Sequence, residues 1–558
     1  MTSCLAVMLL VAQATSYQAA SPPPRDVVTQ KGTATVKGKV VTADTGKPLR
    51  RVQVSLSSPD LTESRSMSTT AQGLFEFKDL PAGRYNLTAS RPGFLQVQYG
   101  QRRVGEAGRP LQIADGQQIT DLSLALPRTG SIAGRITDEV GEPLANVSVF
   151  PAHWRYFRGR KRLVRAPGGA SFNRTDETGQ YRITGLEPGD YFVMATTRDT
   201  WTVDENPKER IGFNTTYAAG TANPADAQPV KVVSGQEAIA PDFAMVPGRV
   251  ASISGTASAS SGAPLAGESV EVSQEFMSPS GGSTFGMPGT KIGADGSFTI
   301  KSLAPGEYRL TVRRPGDKER GLEGATTIVA LSGEDVSGVL LVTGAGGTIS
   351  GRVVADSGAP LPAPDQRMRV NTRPVDAATT FTAFNADNGR VKDDWTFEVK
   401  DVIGRHSLSV TSLPAGWAVR SIDYFGKDLA DTSIDVASGQ HIEGVTIVLS
   451  KTLPTIAGTL LDQANRPADG SVLMFPEDAD KWEENSRLIR TARPDAAGVF
   501  EFRHVVPGEY LAVPLEYVRP GDWSDPDFLR GLKEQATRVR VDAAGVTGLS
   551  LVLKRPQH

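Results

Sequence analysis

The chain has 558 residues and a formal net charge of −2, which is more than one hydrophobic core organises and gives no global basic field for nucleic acid. Its 57 glycines and 37 prolines exceed average usage but fall short of low-complexity composition, as expected where many turns join short strands. A single cysteine, Cys4, excludes a disulfide framework and, beyond the first residues, thiolate metal sites and cysteine catalysis.

Residues 1–14 read as a secretory signal peptide, with an apolar run Leu5–Val11 and a small-residue site at Ala12-Gln13-Ala14. No Lys or Arg precedes the run, and Cys4 lies before it, whereas a lipidated cysteine would follow. Residues 15–32 form a Pro-rich linker around Pro22-Pro23-Pro24. No later segment offers the 18 or so uncharged apolar residues of a spanning helix, so no membrane span is expected in the mature chain.

From there the sequence repeats. A strand motif centred on glycine recurs at Val36-Lys-Gly38, Ile132-Ala-Gly134, Ile253-Ser-Gly255, Ile349-Ser-Gly351 and Ile456-Ala-Gly458. The interval of about a hundred residues is the size of a small domain and too long for a solenoid repeat. A turn follows each: Gly46-Lys-Pro48, Gly141-Glu-Pro143, Gly262-Ala-Pro264, Gly358-Ala-Pro360 and Asn465-Arg-Pro467. The swap of glycine for asparagine predicts a left-handed backbone position.

The third motif is the most specific. It reads Phe75-Glu-Phe77-Lys-Asp-Leu80-Pro-Ala-Gly83-Arg-Tyr85 in the first repeat, with counterparts ending in Tyr191, Tyr308 and Tyr510. Apolar residues alternate on both sides of a turn, so two half-buried strands meet at a corner. A tyrosine just past such a corner can bury its ring and bond its hydroxyl to backbone upstream, so Tyr85, Tyr191, Tyr308 and Tyr510 are expected to be structural. The fourth repeat lacks both proline and tyrosine at Gly404-Arg-His406. There the corner is either looser or filled by His406. Each repeat closes on an alternating strand such as Leu122-Ser-Leu124-Ala-Leu126. Helical periodicity is confined to Pro526–Ala536, where Phe528, Leu529, Leu532 and Ala536 share a face behind Ser524 and Asp525 as caps.

The fold class is therefore all-β: five tandem Greek-key β-sandwich modules at 33–127, 128–248, 249–344, 345–451 and 452–558, with one short helix in the last. Short connections between them favour semi-rigid stacking.

These motifs resemble the carboxypeptidase regulatory-like domain family, a relative of transthyretin and of collagen-adhesin B repeats, across nearly the whole mature chain. The resemblance implies an accessory fold without catalytic residues. Collagen-adhesin relatives carry Lys–Asn isopeptide bonds assisted by an acid four residues past the corner. Here that position holds Ala89, Ala195, Val312, Val410 and Pro514, so no isopeptide bond is expected. Starch-binding-like relatives keep polysaccharide binding open.

The residues themselves point to no catalyst. The five histidines, His153, His406, His441, His504 and His558, start no zinc motif. There is no nucleophile elbow and no Asp-rich calcium loop. Acids such as Asp176 and Asp295 precede turn glycines and read as turn-bonding groups. Gly281–Gly286 reads as a flexible loop. The expectation is no enzyme, no cofactor and no metal.

One segment stands out. His153–Arg165 in the second repeat packs six basic residues and three aromatics around an Arg158-Gly159 hairpin tip. Trp154 and Tyr156 could stack on sugars, while Arg158, Arg160, Lys161 and Arg162 could pair with carboxylate or sulfate. The structural reading stands ahead of it: a long hairpin with inward aromatics and basic residues guarding a strand edge. Tyr99 with Arg102 and Arg103 is a weaker version of the same pattern. Trp395 and Trp417 read as packing residues, Trp482 and Trp523 as candidates for exposure. The function expected is a secreted, periplasmic or cell-surface non-catalytic scaffold or interaction protein, monomeric, with a polysaccharide or protein partner at the cell envelope. The alternatives are a carbohydrate-binding protein centred on the second module and an accessory subunit of a secreted hydrolase or outer-membrane receptor.

Overall fold

The computed structural model describes residues 32–554, apart from 59–63, 158–159, 167–172, 204–205, 279–280, 315–321, 357, 359, 363–366, 376–380, 383–388, 415 and 484–485. The signal segment 1–14 and the tip residue Arg158 lie outside the described residues. Among the described residues the fold is all-β, with one short α-helix near the C-terminus. Its buried apolar side chains gather into clusters local in sequence, spanning Ala34–Leu126, Ile132–Met245, Ala251–Leu341, Ile349–Leu449 and Ile456–Leu553.

In the first module the strand Ala34–Thr42 buries every second residue at Ala34, Val36, Gly38, Val40 and Thr42. It runs antiparallel to Leu74–Leu80 and parallel to Gln118–Leu126. A second sheet holds Arg65–Ser68, Gln53–Ser57 and Gly83–Ser90. Val36, Val40, Phe75 and Leu124 of the first sheet share one cluster with Val54, Leu56, Tyr85 and Leu87 of the second, which makes a sandwich. The same middle strand recurs as Gly130–Thr137, Ala251–Ala259, Gly347–Ala355 and Ile456–Leu461. Each has an antiparallel neighbour bearing the corner motif and a parallel neighbour near the module's end.

The repeated strand glycine has a direct cause. Gly38, Gly134, Gly255, Gly351 and Gly458 sit opposite Phe75, Tyr181, Phe298, Phe397 and Phe500 in the ladder. A Cβ on Gly38, Gly255, Gly351 or Gly458 would strike the carbonyl of the parallel strand, at Leu122, Val339, Val445 or Leu549. On Gly134 it would strike the Tyr181 ring. The hairpin-turn position is left-handed in all five repeats, with φ of 65°, 93°, 83° and 66° at Gly46, Gly141, Gly262 and Gly358, and 64° at Asn465.

The corner uses a device the motif did not announce. Asp79, Gly185, Ser302, Asp401 and His504 all have φ between 55° and 81°. In the first four modules the ladder slips register there, as at a bulge that bends one strand out of its sheet. In the fourth module the corner is not looser. One unbroken strand, Thr396–Thr411, pairs first with Gly347–Ala355 and then with Arg369–Pro374. His406 is fully buried there, with Nδ1 at 3.1 Å from the Gly404 carbonyl.

Two expectations need correction. Gly281–Gly286 is not a loop: it lies in the strand Gly281–Lys291, paired along its length with Ser269–Ser278. Glycine and serine give little strand signal, so the ordering comes from the β-branched and aromatic residues of the partner. Trp482 is not exposed: its side chain is 7% accessible and its indole N–H donates to the Pro476 carbonyl at 2.8 Å.

The helix runs Pro526–Leu532, shorter than the periodic stretch, with Lys533–Gln535 tightening into a 3₁₀ turn. Asp525 caps it by accepting from the Asp527 N–H. Leu529 and Leu532 join Phe475, Trp482 and Val513 in a satellite cluster on the last sandwich.

Candidate functional site

At the four tyrosine corners the hydroxyl donates to the backbone carbonyl four residues upstream. The pairs are Tyr85 to Pro81, Tyr191 to Glu187, Tyr308 to Ala304 and Tyr510 to Val506, at 2.6 to 2.9 Å. Burial pushes the phenols of Tyr191, Tyr308 and Tyr510 up to about 12. They are hydrogen-bond donors at any ordinary pH and are not acids a reaction could use.

In the second module the strands Ser148–Phe157 and Arg160–Arg165 pair as an antiparallel hairpin. The register divides the expected ligand-binding residues between two faces. Trp154 lies opposite Leu163, and Tyr156 opposite Lys161. Arg155 lies opposite Arg162 on the other face, one residue along, because strand side chains alternate. Val149, on the Arg155 face, enters the module core, whereas Trp154 and Tyr156 do not. Trp154 instead stands edge-on to Phe192, with ring centroids 6.3 Å apart. Trp154 and Tyr156 are half-buried and Lys161 is exposed.

The arginine face meets other modules. Arg162 forms an ion pair with Glu307 of the third module at 2.9 Å. Arg155 donates to the Pro520 carbonyl of the last. His153 stacks on the corner residue Tyr191 at 4.3 Å, with Nδ1 at 3.0 Å from the Asp190 carbonyl. Burial, then the neighbouring Arg155 charge, hold its pKa below the ordinary histidine value.

Contacts of this kind link the modules from end to end, and the first docks on the last. Arg493, with a side chain 1% accessible, pairs with Glu106 at 3.2 Å and Asp469 at 2.9 Å. Arg109 and Arg102 also reach Asp469. Arg84 pairs with Glu501, and Tyr517 donates to the Val104 carbonyl. The Arg103 guanidinium lies over the Tyr517 ring at 5.6 Å. The weaker aromatic-basic pattern at Arg102-Arg103 is thus a docking surface. Between the fourth and fifth modules Arg487 clamps Asp431 with two bonds of 2.8 and 2.9 Å and reaches the Val419 and Arg420 carbonyls. Sequence reasoning missed Arg487 and Arg493, because a lone arginine in a strand-rich module has no local pattern.

Among the described residues no group of three or more His, Cys, Asp or Glu is placed to hold a metal ion, and no helix is long and apolar enough to cross a membrane. Of the remaining tryptophans, Trp417 is in the fourth core under Lys451, Trp395 and Trp201 pack at module edges, and Trp523 is half-buried beside the helix.

Residues 35–126 and 252–335 match the family model of the carboxypeptidase regulatory-like domain. No curated protein matches the sequence. Solved structures with similar folds include the minor pilin of Streptococcus agalactiae, at 15% identity over 38% of this chain and 97% of the pilin, with a TM-score of 0.24. A streptococcal ancillary pilin aligns at 12% identity over 56% of this chain and 98% of its own, with a TM-score of 0.20. The major pilin subunit of Bacillus cereus aligns at 10% identity over 56% and 99%, with a TM-score of 0.13. None superposes closely enough to bear on function.

Proposed function

We propose that the chain is a non-catalytic scaffold or interaction protein of the cell envelope, secreted, periplasmic or surface-held, whose modules act as one preset body. The observation that supports this reading is the buried ion-pair network of Arg493, Glu106 and Asp469 that joins the first module to the last. Buried charges of this kind fix geometry more than they add stability. A protein that presents partners at set positions needs such geometry, and a flexible tether does not. Small-angle scattering on the full chain tests it. A single maximum dimension unchanged between low and moderate salt is expected; a profile of independent beads on a string would sink the reading.

A second reading is carbohydrate binding at the second module. It is favoured by the register that turns Trp154 and Tyr156, together with Lys161, away from the module core. Lys161 on their face would supply charge for an anionic polymer, with Arg158 and Arg160 adjacent in sequence, while Arg162 lies on the opposite face against Glu307. The test is retention of the chain on neutral and anionic polysaccharides beside Trp154→Ala/Tyr156→Ala and Arg158→Ala/Arg160→Ala/Arg162→Ala variants. Retention lost in both variants supports it. No retention on any polymer removes it.

A further inference from the structure

We propose that the cleft where the first, second and last modules meet is a binding site for a neutral, hydroxyl-rich ligand the size of one or two sugar rings. The cleft encloses about 450 Å³, within the roughly 300–1,000 Å³ of small-molecule sites. Its walls come from three modules: Gln96 and Glu106 from the first, Glu187 from the second, and Thr491, Arg493 and Trp523 from the last.

The lining has the chemistry of sugar recognition. Trp523 offers one half-buried ring for stacking. The Gln96 amide, the Thr491 hydroxyl and the Glu187 carboxylate have no hydrogen-bond partner among the described residues, and all three residues are exposed. They mix donors and acceptors, as ring hydroxyls require. The Tyr191 hydroxyl bonds the Glu187 carbonyl, so the corner itself fixes the backbone that presents this carboxylate. The residue as a whole is open to solvent, but the part of it that enters the cleft is desolvated, and this raises the Glu187 carboxyl above its ordinary value, as expected for an acid with no cation beside it.

Charge separates a neutral ligand from an anionic one. Among the described residues Arg493 is the one cation lining the cleft, and Glu106 and Asp469 already neutralise it. An anion would meet the Glu187 carboxylate with no free cation to balance it. The Arg493 Nε is buried with no acceptor among the described residues, so the donors that a ligand can reach are those of Gln96 and Thr491.

The site is separate from the Trp154 face but rests on the scaffold reading's docking of the first module on the last; small-angle scattering reports on the docking and titration on the site, so the two failures are distinguishable. The test is calorimetric titration of the full chain with maltotriose, cellotriose, N-acetylchitotriose and trigalacturonate. At least one neutral trisaccharide should bind. Its affinity should fall about tenfold in Glu187→Gln and in Trp523→Ala, the loss expected when one charge-assisted bond or one stacking ring is removed. It should be unchanged in Trp154→Ala/Tyr156→Ala. Glu187 is exposed, so Glu187→Gln stays folded and keeps the test sound even where Trp523→Ala disturbs the helix. Binding of trigalacturonate alone, binding lost only in the Trp154→Ala/Tyr156→Ala variant, or no binding of any probe would each overturn the proposal.

Discussion

Tyr85 donates its hydroxyl to the Pro81 carbonyl at 2.8 Å from a ring only 1% exposed. The bond ties the strand Gly83–Ser90 of one sheet to the turn that ends Leu74–Leu80 of the other. Tyr85→Phe keeps the ring and removes the donor, leaving the carbonyl short of its partner. The expected cost is about 1–3 kcal/mol, localised to the first module. Hydrogen exchange should show faster opening of Gly83–Ser90 with the last module unaffected. Equal protection in variant and wild type would mean that water replaces the hydroxyl without loss.

Gly351→Ala should be far worse than a surface glycine substitution. Its Cβ would run into the Val445 carbonyl of the parallel strand, and a main-chain carbonyl in a ladder cannot swing aside. Overpacking of this kind costs about 1–3 kcal/mol, at times more. Gly426→Ala is the control: the residue has open space around it, and its φ of 80° carries only the ordinary left-handed strain. Denaturant unfolding should rank Gly351→Ala well below Gly426→Ala; the reverse order would show that the strand can spread.

The two glycines also mark what the sequence made legible. Motif glycines, turn positions and corner tyrosines repeat, so five weak local signals added into one strong one. The helix was readable because Leu529 and Leu532 fall on one face in a chain otherwise without that period. The left-handed corner residues Asp79, Gly185, Ser302, Asp401 and His504 share a conformation but no chemistry, so no motif marked them. Trp482 sits among charged neighbours in sequence, yet the helix folds back to cover it. The contacts of Arg155 with Pro520, Arg162 with Glu307 and Arg493 with Glu106 join residues more than a hundred positions apart in separate modules. Their partners are set by how modules stack, which strand patterning does not encode.

His406 predicts a pH dependence in the fourth module. Burial depresses its pKa, only partly offset by the Gly404 carbonyl and the Asp435 charge. The unfolded chain takes up the proton first as pH falls below the ordinary 6.5, so the contribution is complete above that value. It is lost as pH falls through the folded-state pKa. His153 and His504 are shifted the same way, so the measurement is a difference between proteins. Stability followed from pH 7.5 to 5 should fall less steeply in His406→Gln than in wild type. Parallel curves would show that the ring is protonated without penalty.

The junction of first and last modules rests on Arg493 and the carboxylates it serves. Burial alone would raise Asp469, but the hydrogen bonds and charges of Arg493 and Arg109 outweigh it and hold the carboxyl below its ordinary value. Glu106 accepts from the Arg102 and Arg103 N–H groups as well as pairing with Arg493, so without the arginine its hydrogen bonds remain but its buried charge loses its balancing cation. Arg493→Met fills similar space but leaves the buried Glu106 without its cation, while Asp469 keeps Arg109 and Arg102, and breaking a buried pair from one side costs about 3–5 kcal/mol. The modules need not unfold to escape that cost, because undocking lets water reach Glu106. The variant should therefore show a larger maximum dimension in small-angle scattering, while each module keeps its circular dichroism. Acid should do the same to wild type. The stabilisation from Asp469 is present above the ordinary carboxylate value of 3.8 and disappears as pH falls through the depressed folded value. A compact Arg493→Met protein, or one that stays compact below pH 3, would show that apolar contacts alone hold the two ends together.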